Sequence, residues 1–228
     1  MDGLDLNFVI TILDRKRARE MAAIQNTMQI SLSLTLFGRG TASREVLEFY
    51  DLEPTSKALV ACVVDGERTG LLVHEAKKRL LLDVPGNGIL LVIPVKSVCG
   101  GRTLAYFTEG ARTNGQEAGE LTFSHELIFV ILNQGYTDDV MEAARTAGAR
   151  GGTVLHAKGT GAGLAKKFFG VSLAEEKEIL LIVSDMKEKM GIMKAIATQS
   201  GPDSPAGAIS FTLPVSEVVG VRERIDLK

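Results

Sequence analysis

Two glycine-rich segments hold the residues of this chain whose types and spacing best suit the binding of an anion. The first consists of Gly38, Arg39, Gly40 and Thr41, and the second of Lys158, Gly159, Thr160 and Gly161. Glycine has no Cβ and reaches positive φ at little cost, so its backbone amides can come close to a ligand. Arg39 and Lys158 occupy matching places beside the glycines, where each cation either meets an anionic ligand or simply flanks a turn.

A basic cluster at residues 15–19 offers a second group of positive charges. It contains Arg15, Lys16, Arg17 and Arg19 and follows an apolar run. The cluster has two interpretations, an anion-binding patch or the solvated face of a helix. We favour the solvated face, and we note that cations at the start of a helix oppose its dipole.

The residues that most often carry catalysis or metal binding form no recognisable pattern. His74, His125 and His156 are not paired at the spacing of metal ligands, and His156 is expected at a strand edge or an interface. Cys62 and Cys99 are too few and too scattered for a zinc site or a disulfide framework. No Ser-His-Asp order and no Gly-x-x-x-x-Gly-Lys-Ser loop occurs. The sequence therefore predicts a protein that is not an enzyme and requires no cofactor or metal.

Charge and hydropathy exclude several classes of partner. The 228 residues include 26 Lys and Arg against 28 Asp and Glu, which leaves a formal net charge of -2. No positive field favours nucleic acid or an anionic membrane. No apolar run approaches the roughly 20 residues of a membrane-spanning helix, and residues 1–5 do not begin a secretory signal. We expect a cytoplasmic protein that meets a membrane only through a partner.

The periodicity of apolar residues predicts the elements that position the glycine segments, and both halves of the chain have the same order, βαββαβ. In the first half, strands are predicted at 6–13, 31–37, 58–64 and 89–93, with helices at 15–28 and 67–82. In the second half, strands are predicted at 127–132, 153–157, 178–184 and 208–213, with helices at 137–147 and 187–200. Asp14 and Thr137 are expected to cap the first helix of each half.

Matching residues indicate that the second half repeats the first. Gly40 matches Gly159 at a separation of 119 positions, and after one inserted residue Pro94 matches Pro214 at a separation of 120. The polar, glycine-rich stretch at 108–120 is the predicted linker. The sequence thus predicts an α+β protein with two tandem ferredoxin-like domains, each an antiparallel sheet with helices on one face. The predicted domain bounds are 1–107 and 121–228.

The face of each sheet that carries no helices is also apolar. The central strands are apolar throughout rather than alternating with polar residues, as at 58–64 and 89–93. A bare apolar face of this size is typical of a protein interface. We therefore expect another copy of the unit to cover it, and the sequence leaves open whether the two halves pair within one chain or between chains.

The repeated residues resemble a known family, the nitrogen-regulatory PII signalling proteins and their PII-like relatives. In the second half the resemblance runs through residues 148–154, 158–161, 168–171, 176–183 and 213–219. In the first half it lies in residues 86–95 and at Val98, Arg102 and Thr103. No single piece is specific, but their order and spacing occur twice. The chain therefore resembles a tandem repeat of two PII-like domains.

The resemblance implies an assembly and a class of ligand. Proteins of the family form trimers, bind adenine nucleotides in clefts between neighbouring units, and dock onto target proteins through a long loop after the second strand. The resemblance places Gly86, Gly88 and Gly207 in phosphate-side turns, with Arg102 and Arg222 as partners of the phosphates. Carried over by position, the residues that would line such clefts are Gly38, Arg39, Gly40, Thr41, Gly86, Gly88, Arg102, Thr153, Lys158, Gly159, Thr160, Gly161, Gly207 and Arg222.

The sequence departs from the pattern of the family at charged positions. Ile89 and Ala208 replace the lysine of the phosphate turn, and Gly100 and Gly220 replace the first of two arginines near the end of each unit. Each charge-assisted hydrogen bond lost is worth about 1.5–3 kcal/mol, so we expect weakened binding of ATP, ADP or AMP. The loop at 161–177 is shorter than that of the family and lacks its modifiable tyrosine, so we expect no nucleotidylylation there.

These observations favour a PII-like regulator of the nitrogen-regulation type. It would bind a small anionic metabolite or an adenine nucleotide between units, form a homotrimer and control a partner protein. One alternative is a trimeric scaffold that has lost its ligand, as the missing lysines permit. Another is a related cation-binding or metabolite-binding ferredoxin-like trimer, although the histidines and cysteines offer little for a metal.

Overall fold

The computed structural model describes residues 6–41, 56–84, 86–95, 123–158 and 176–221. The chain divides into two compact units. The first unit contains residues 1–36, 58–123 and 215–228, and the second contains residues 37–57 and 124–214. Each unit therefore combines segments from both halves of the sequence.

The first half of the chain forms four strands and two helices in the predicted order. Their bounds are β1 Leu6–Asp14, α1 Ala18–Thr27, β2 Leu32–Gly40, β3 Ser56–Asp65, α2 Gly66–Leu80 and β4 Ile89–Pro94. A short 3-10 turn, Arg15–Arg17, precedes α1. The basic cluster of the sequence thus occupies this turn and the start of α1.

The second half repeats this order and adds one short strand. Its bounds are β5 His125–Asn133, α3 Thr137–Thr146, β6 Thr153–Lys158, β7 Glu176–Asp185, α4 Lys189–Ser200, β8 Ile209–Val215 and β9 Glu217–Val219. The sequence did not predict β9. By contacts this strand belongs to the first unit, together with the other residues from 215 onward.

Each unit has its own antiparallel arrangement of strands. In the first unit the order is β2-β3-β1-β4-β9, and in the second it is β8-β5-β7-β6, next to residues 37–40 of β2. Antiparallel pairing joins β1 to β4, β5 to β7 and β6 to β7. The four strands of each half thus take the order fourth, first, third, second, which confirms the predicted ferredoxin-like fold class.

Helices cover one face of each sheet, and the core lies between the two layers. In the first unit this core contains Val9, Leu13, Val60, Val64, Leu90 and Val92 from the strands, with Met21, Ile24, Leu72, Ala76 and Leu80 from the helices. In the second unit it contains Ile128, Val130, Leu132, Leu180 and Ile182 from the strands, with Val140, Met141, Ile192 and Ile196 from the helices. Alternate residues of each strand point to this core, as the period of a strand requires.

The opposite face of the first unit's sheet is already buried. Ile10, Leu59, Ala61 and Leu91 alternate with the core residues, and none of them is more than 5% exposed in the single chain. In the first unit, the predicted covering of this face is therefore already present in the single chain.

The helix starts show which capping predictions hold. The carboxylate of Asp14 accepts a hydrogen bond of 3.0 Å from the backbone N–H of Lys16, so the predicted cap is confirmed, although it caps the 3-10 turn. The prediction for Thr137 is wrong, because α3 begins at Thr137 and the capping position is Tyr136, whose side chain makes no capping bond. The Thr137 hydroxyl donates instead to the carboxylate of Glu178, at 2.5 Å.

Cys62 lies in the first core, and burial raises the pKa of its thiol from 9.0 to about 12, partly offset by a hydrogen bond with Gln25. We expect the Cys62 thiol to react about a thousandfold more slowly than a free thiol at pH 8, since reaction requires the thiolate. The check is the rate of thiol labelling in a Cys99→Ser variant, with and without urea. Fast labelling of the folded protein would contradict the buried position.

The same raised pKa gives a pH dependence with a definite sign. The thiol stays protonated in the folded state at a pH where it ionises in the unfolded chain. Its contribution to stability is therefore fully present below the unfolded pKa of 9.0, and it is lost as the pH rises through the folded pKa of about 12.

Parts of the predicted organisation lie outside the described residues. They include the linker at 108–120 and nearly all of the loop at 161–177. None of the helices in the described part of the chain combines the length and the apolar character that crossing a membrane requires.

Candidate functional site

The turn between α2 and β4 is the first place where the structure groups predicted site residues. Gly86 and Gly88 both have positive φ, 99° and 144°. The side-chain amide of Asn87 donates to the carbonyl of Leu81 at 3.0 Å and holds the turn against the end of α2. At Gly88 a Cβ would lie 2.8 Å from the carbonyl oxygen of Ile12. Only glycine fits this position without a shift of the backbone.

Arg17 brings a positive charge to this turn. Its Nη1 donates to the carbonyl oxygen of Asn87 at 3.5 Å, and its Nη2 lies 3.4 Å from Glu20. The guanidinium side chain is 24% exposed, so it remains accessible to solvent. The interpretation of the basic cluster as only a solvated helix face is therefore wrong for Arg17.

The segment after β8 completes the first unit beside the same turn. Strand β9 pairs antiparallel with β4, with Leu90 opposite Val219 and Val92 opposite Glu217. The following residue, Gly220, has φ of 85°, and a Cβ there would lie 2.1 Å from the carbonyl oxygen of Gly88. The end of the second half thus lies against the glycine turn of the first half.

The turn before β8 in the second unit is built differently. Gly207 has φ of 54°, and its nearest neighbour is the side chain of Asn133. Asn133 donates from Nδ2 to the carbonyl of Pro205 at 2.8 Å and accepts from the ammonium group of Lys177. Lys177 is only 3% exposed. The structure therefore places a buried cation behind this turn, linked to it through Asn133.

The first glycine segment pairs with β6 rather than standing open. Gly38 lies opposite Leu155, and Gly40 lies opposite Thr153. A Cβ at Gly38 would lie 2.0 Å from the carbonyl oxygen of Val154, so the glycine permits the close approach of the two strands. The structure thus brings together four predicted site residues, Gly38, Arg39, Gly40 and Thr153.

Thr41 is fixed by hydrogen bonds within the second unit. Its backbone N–H donates to the carbonyl of Gly152 at 3.2 Å, and its hydroxyl accepts from the N–H of Gly152 at 2.8 Å. The guanidinium of Arg145 donates to the Thr41 carbonyl. These bonds hold the end of β2 against the loop that leads into β6.

Glu178 forms a buried charged cluster that the sequence did not predict. Its side chain is 3% exposed and accepts from the Thr137 hydroxyl at 2.5 Å and from the N–H of Gly135 at 3.3 Å. Arg39 lies 3.5 Å from the carboxylate on the solvent side, with its own side chain 38% exposed. Nδ1 of His156 lies 3.9 Å from the same carboxylate. Glu178 thus neutralises the cation that we assigned to an anionic ligand.

The remaining predicted site residues are not described. They are Arg102, Gly159, Thr160, Gly161 and Arg222, and of Lys158 only the backbone is placed. Among the described residues, no group of three or more His, Cys, Asp or Glu side chains is placed to hold a metal ion. The described geometry provides backbone turns and arginines, which suit the binding of an anion.

Sequence reasoning missed Lys177 and Glu178 as residues of the candidate sites, and for Arg17 it favoured a solvated helix face over an anion-binding patch. Each owes its place to a contact between distant segments, such as Arg17 with Asn87 and Lys177 with Asn133. One usable signal was present, because Lys177 and Glu178 are charged residues at the start of an otherwise apolar strand. Charged residues are almost never buried unless they are paired.

Comparison with known proteins gives one family match. Residues 125–224 match the family model of the nitrogen regulatory protein P-II. No curated protein sequence matches the chain.

Three similar solved structures have low TM-scores. A functionally unknown protein from Pediococcus pentosaceus is 15% identical, with a TM-score of 0.30, covering 46% of this chain and 100% of its own. A protein of unknown function from Galdieria sulphuraria is 9% identical, with a TM-score of 0.26 and coverage of 92% and 98%. A chlorite dismutase variant from Candidatus Nitrospira defluvii is 11% identical, with a TM-score of 0.26 and coverage of 95% and 93%. Scores this low carry no argument about function.

Proposed function

We propose, from the premise that residues 125–224 form a domain of the P-II nitrogen regulatory family, that this chain is a P-II-like regulatory protein. Its role would be to bind a small anionic metabolite or an adenine nucleotide and to control a partner protein accordingly. The family match supports the regulatory class, and the described residues favour an anionic ligand.

The observation that carries the proposal is the group formed by Gly86, Gly88, Gly220 and Arg17 in the first unit. Two glycines of the turn have positive φ, and the backbone of Gly220 lies directly against Gly88. Arg17 places a guanidinium at the carbonyl of Asn87, in the middle of the turn, and solvent screens its ion pair with the exposed carboxylate of Glu20. A backbone concavity with an adjacent guanidinium is suited to a phosphate or a carboxylate.

Two arginines would supply the positive charge that the family's lysine provides at the position of Ile89. Arg17 lies at the turn, and Arg222 follows Gly220 by two residues in the sequence. Arg222 lies just beyond the last described residues, and we propose it as a partner of the Gly88 turn because Gly220 lies directly against Gly88.

The test is thermal unfolding of the protein with ATP, ADP, AMP and 2-oxoglutarate in turn. A ligand at 100 times its dissociation constant stabilises the folded protein by about 2.7 kcal/mol, which gives a readable rise in melting temperature. We expect Arg17→Ala to weaken the effective ligand by about 10-fold to 100-fold, because it removes a charge-assisted hydrogen bond. Arg222→Ala should act in the same direction.

Arg19→Ala is the matched control for Arg17→Ala. Arg19 belongs to the same basic cluster but is exposed, so its removal should leave the ligand-induced shift unchanged. Equal effects of both changes would mean that only the general positive charge matters. No shift with any of the four ligands would contradict binding of these compounds.

The scaffold alternative is favoured by a different observation. In the second unit Arg39 is paired with Glu178, and the N–H, hydroxyl and carbonyl of Thr41 all have partners within the protein. Groups that are satisfied internally have less to gain from a ligand. A protein that assembles normally but binds none of the tested anions would support this alternative.

A further inference from the structure

Helix α4 of the second unit is apolar on two of its faces. Ile192 and Ile196 are fully buried in the core of this unit. Met190 and Ala197 lie on the other side of the helix and are exposed, Met190 to 67%. A surface helix normally turns one apolar stripe to the core and polar residues to solvent. The packing of the unit itself therefore does not explain the second apolar face of α4.

This second face forms one wall of a groove, and the start of β8 contributes to the lining. The groove has a volume of about 660 Å³, and Met190, Met193, Ala197 and Ile209 line it. Ile209 is 40% exposed, whereas Met193 also packs against the core. Small-molecule sites usually have volumes of about 300–1,000 Å³, so the groove is large enough for a ligand. Methionine side chains are flexible and polarizable, and such a wall adapts to the shape of an apolar ligand.

Gly191 keeps the groove open. It lies in the first turn of α4 and belongs to the lining. A Cβ at this position would meet the Cβ of Ala147 at 4.0 Å, an ordinary van der Waals contact, so packing within the unit does not require glycine. Glycine also lowers the stability of a helix relative to residues with a side chain. What glycine provides here is the space that a side chain would take from the groove.

Lys194 gives the groove a positive charge. Among the described residues that line the groove, it has the one charged side chain. It follows Met190 by four residues and therefore lies on the same face of α4. Ser210 of β8 adds a hydroxyl group to the lining. An ammonium group and a hydroxyl beside apolar walls complement a molecule that has an apolar body and one carboxylate.

We propose that the groove between α4 and β8 is a binding site for a small amphiphilic carboxylate, such as a medium-chain fatty acid. The apolar body of the ligand packs against Met190, Met193 and Ile209, and its carboxylate accepts a hydrogen bond from the ammonium group of Lys194. All residues of this site belong to the second unit. The site is separate from the anion-binding turn proposed for the first unit, so either assignment can fail without the other.

The experiment is a calorimetric titration of the full chain with decanoate, kept below the concentration at which it forms micelles. Decanol and decylamine carry the same apolar body with a neutral and a positive head. We expect decanoate to bind most tightly and decylamine most weakly. Lys194→Ala should weaken the binding of decanoate by about 5-fold, since its exposed ammonium group is partly screened by water. The same change should leave the binding of decanol unaltered.

Two control variants test the charge and the space separately. Lys187 is exposed, precedes α4 and is not part of the groove lining, so Lys187→Ala should leave decanoate binding unchanged. Gly191→Leu fills the groove and should remove binding of all three compounds, while the melting temperature of the free protein stays the same or rises. The proposal is overturned if decanoate does not bind, if decylamine binds equally well, or if a folded Gly191→Leu variant keeps full affinity.

Discussion

Gly220→Ala is expected to lower the free energy of unfolding by about 3 kcal/mol. Gly220 has φ of 85°, and a left-handed backbone costs a residue with a Cβ about 1–2 kcal/mol. The new Cβ would also lie 2.1 Å from the carbonyl oxygen of Gly88 and 3.0 Å from that of Leu82, so the backbone must move. A movement there pulls on Val219, whose burial in the first core is worth about 1.5–3 kcal/mol.

Gly86→Ala is the matched control for this change. Gly86 also has positive φ, 99°, but a Cβ there would meet no atom within 4 Å. Its replacement should therefore lower the free energy of unfolding only by the cost of holding alanine at positive φ, about 1–2 kcal/mol. Urea unfolding of both variants separates the two contributions. Equal losses of stability would contradict the close approach of Gly220 to Gly88.

The same comparison bears on the proposed ligand. Gly220→Ala alters the turn that we assign to the anion, whereas Gly86→Ala leaves its packing intact. We expect Gly220→Ala to reduce the ligand-induced rise in melting temperature along with stability. A variant that loses stability but keeps the full rise would separate the structural role of Gly220 from ligand binding.

The sequence predicted the order of elements because both halves have long, periodic segments. The apolar residues of β3 and β7, for example, form continuous runs that cannot be mistaken for loops. The strand order could be predicted as well, since few topologies satisfy the order βαββαβ. Strand β9 could not be predicted, because three residues carry no periodicity and its partner, β4, is distant in sequence.

The sequence predicted those parts of the candidate sites that depend on neighbouring residues, and it did not predict the parts that depend on contacts between distant segments. The family resemblance placed Gly86, Gly88 and Gly207 in turns, and all three have positive φ. For Arg17 the sequence could not decide between an anion-binding patch and a solvated helix face, because its position depends on the carbonyl of Asn87, 70 residues further along the chain. Similarly, Thr137 has the right residue type for a helix cap, but the buried carboxylate of Glu178 competes for its hydroxyl. Contacts between distant segments determine the positions of these side chains, and such contacts cannot be inferred from a single sequence.

Glu178→Ala should be the other strongly destabilising change, with a loss of about 3 kcal/mol in the free energy of unfolding. The carboxylate is buried and accepts from Thr137 and from the N–H of Gly135. Its removal leaves the buried Thr137 hydroxyl without its acceptor, and a buried donor left unsatisfied costs about 1–3 kcal/mol, to which the loss of the other contacts of the carboxylate adds. The measurement is urea unfolding followed by circular dichroism.

Two further variants distinguish the parts of this effect. Glu176→Ala, two residues earlier on the same strand and exposed, should change stability by less than about 0.5 kcal/mol. Glu178→Gln keeps an acceptor for the Thr137 hydroxyl and should cost less than Glu178→Ala. Because Arg39 is 38% exposed, its pair with Glu178 should contribute only about 0–1 kcal/mol in a double-mutant cycle. A larger coupling would mean that Arg39 is held mainly by Glu178, and so is unsuited to an anionic ligand.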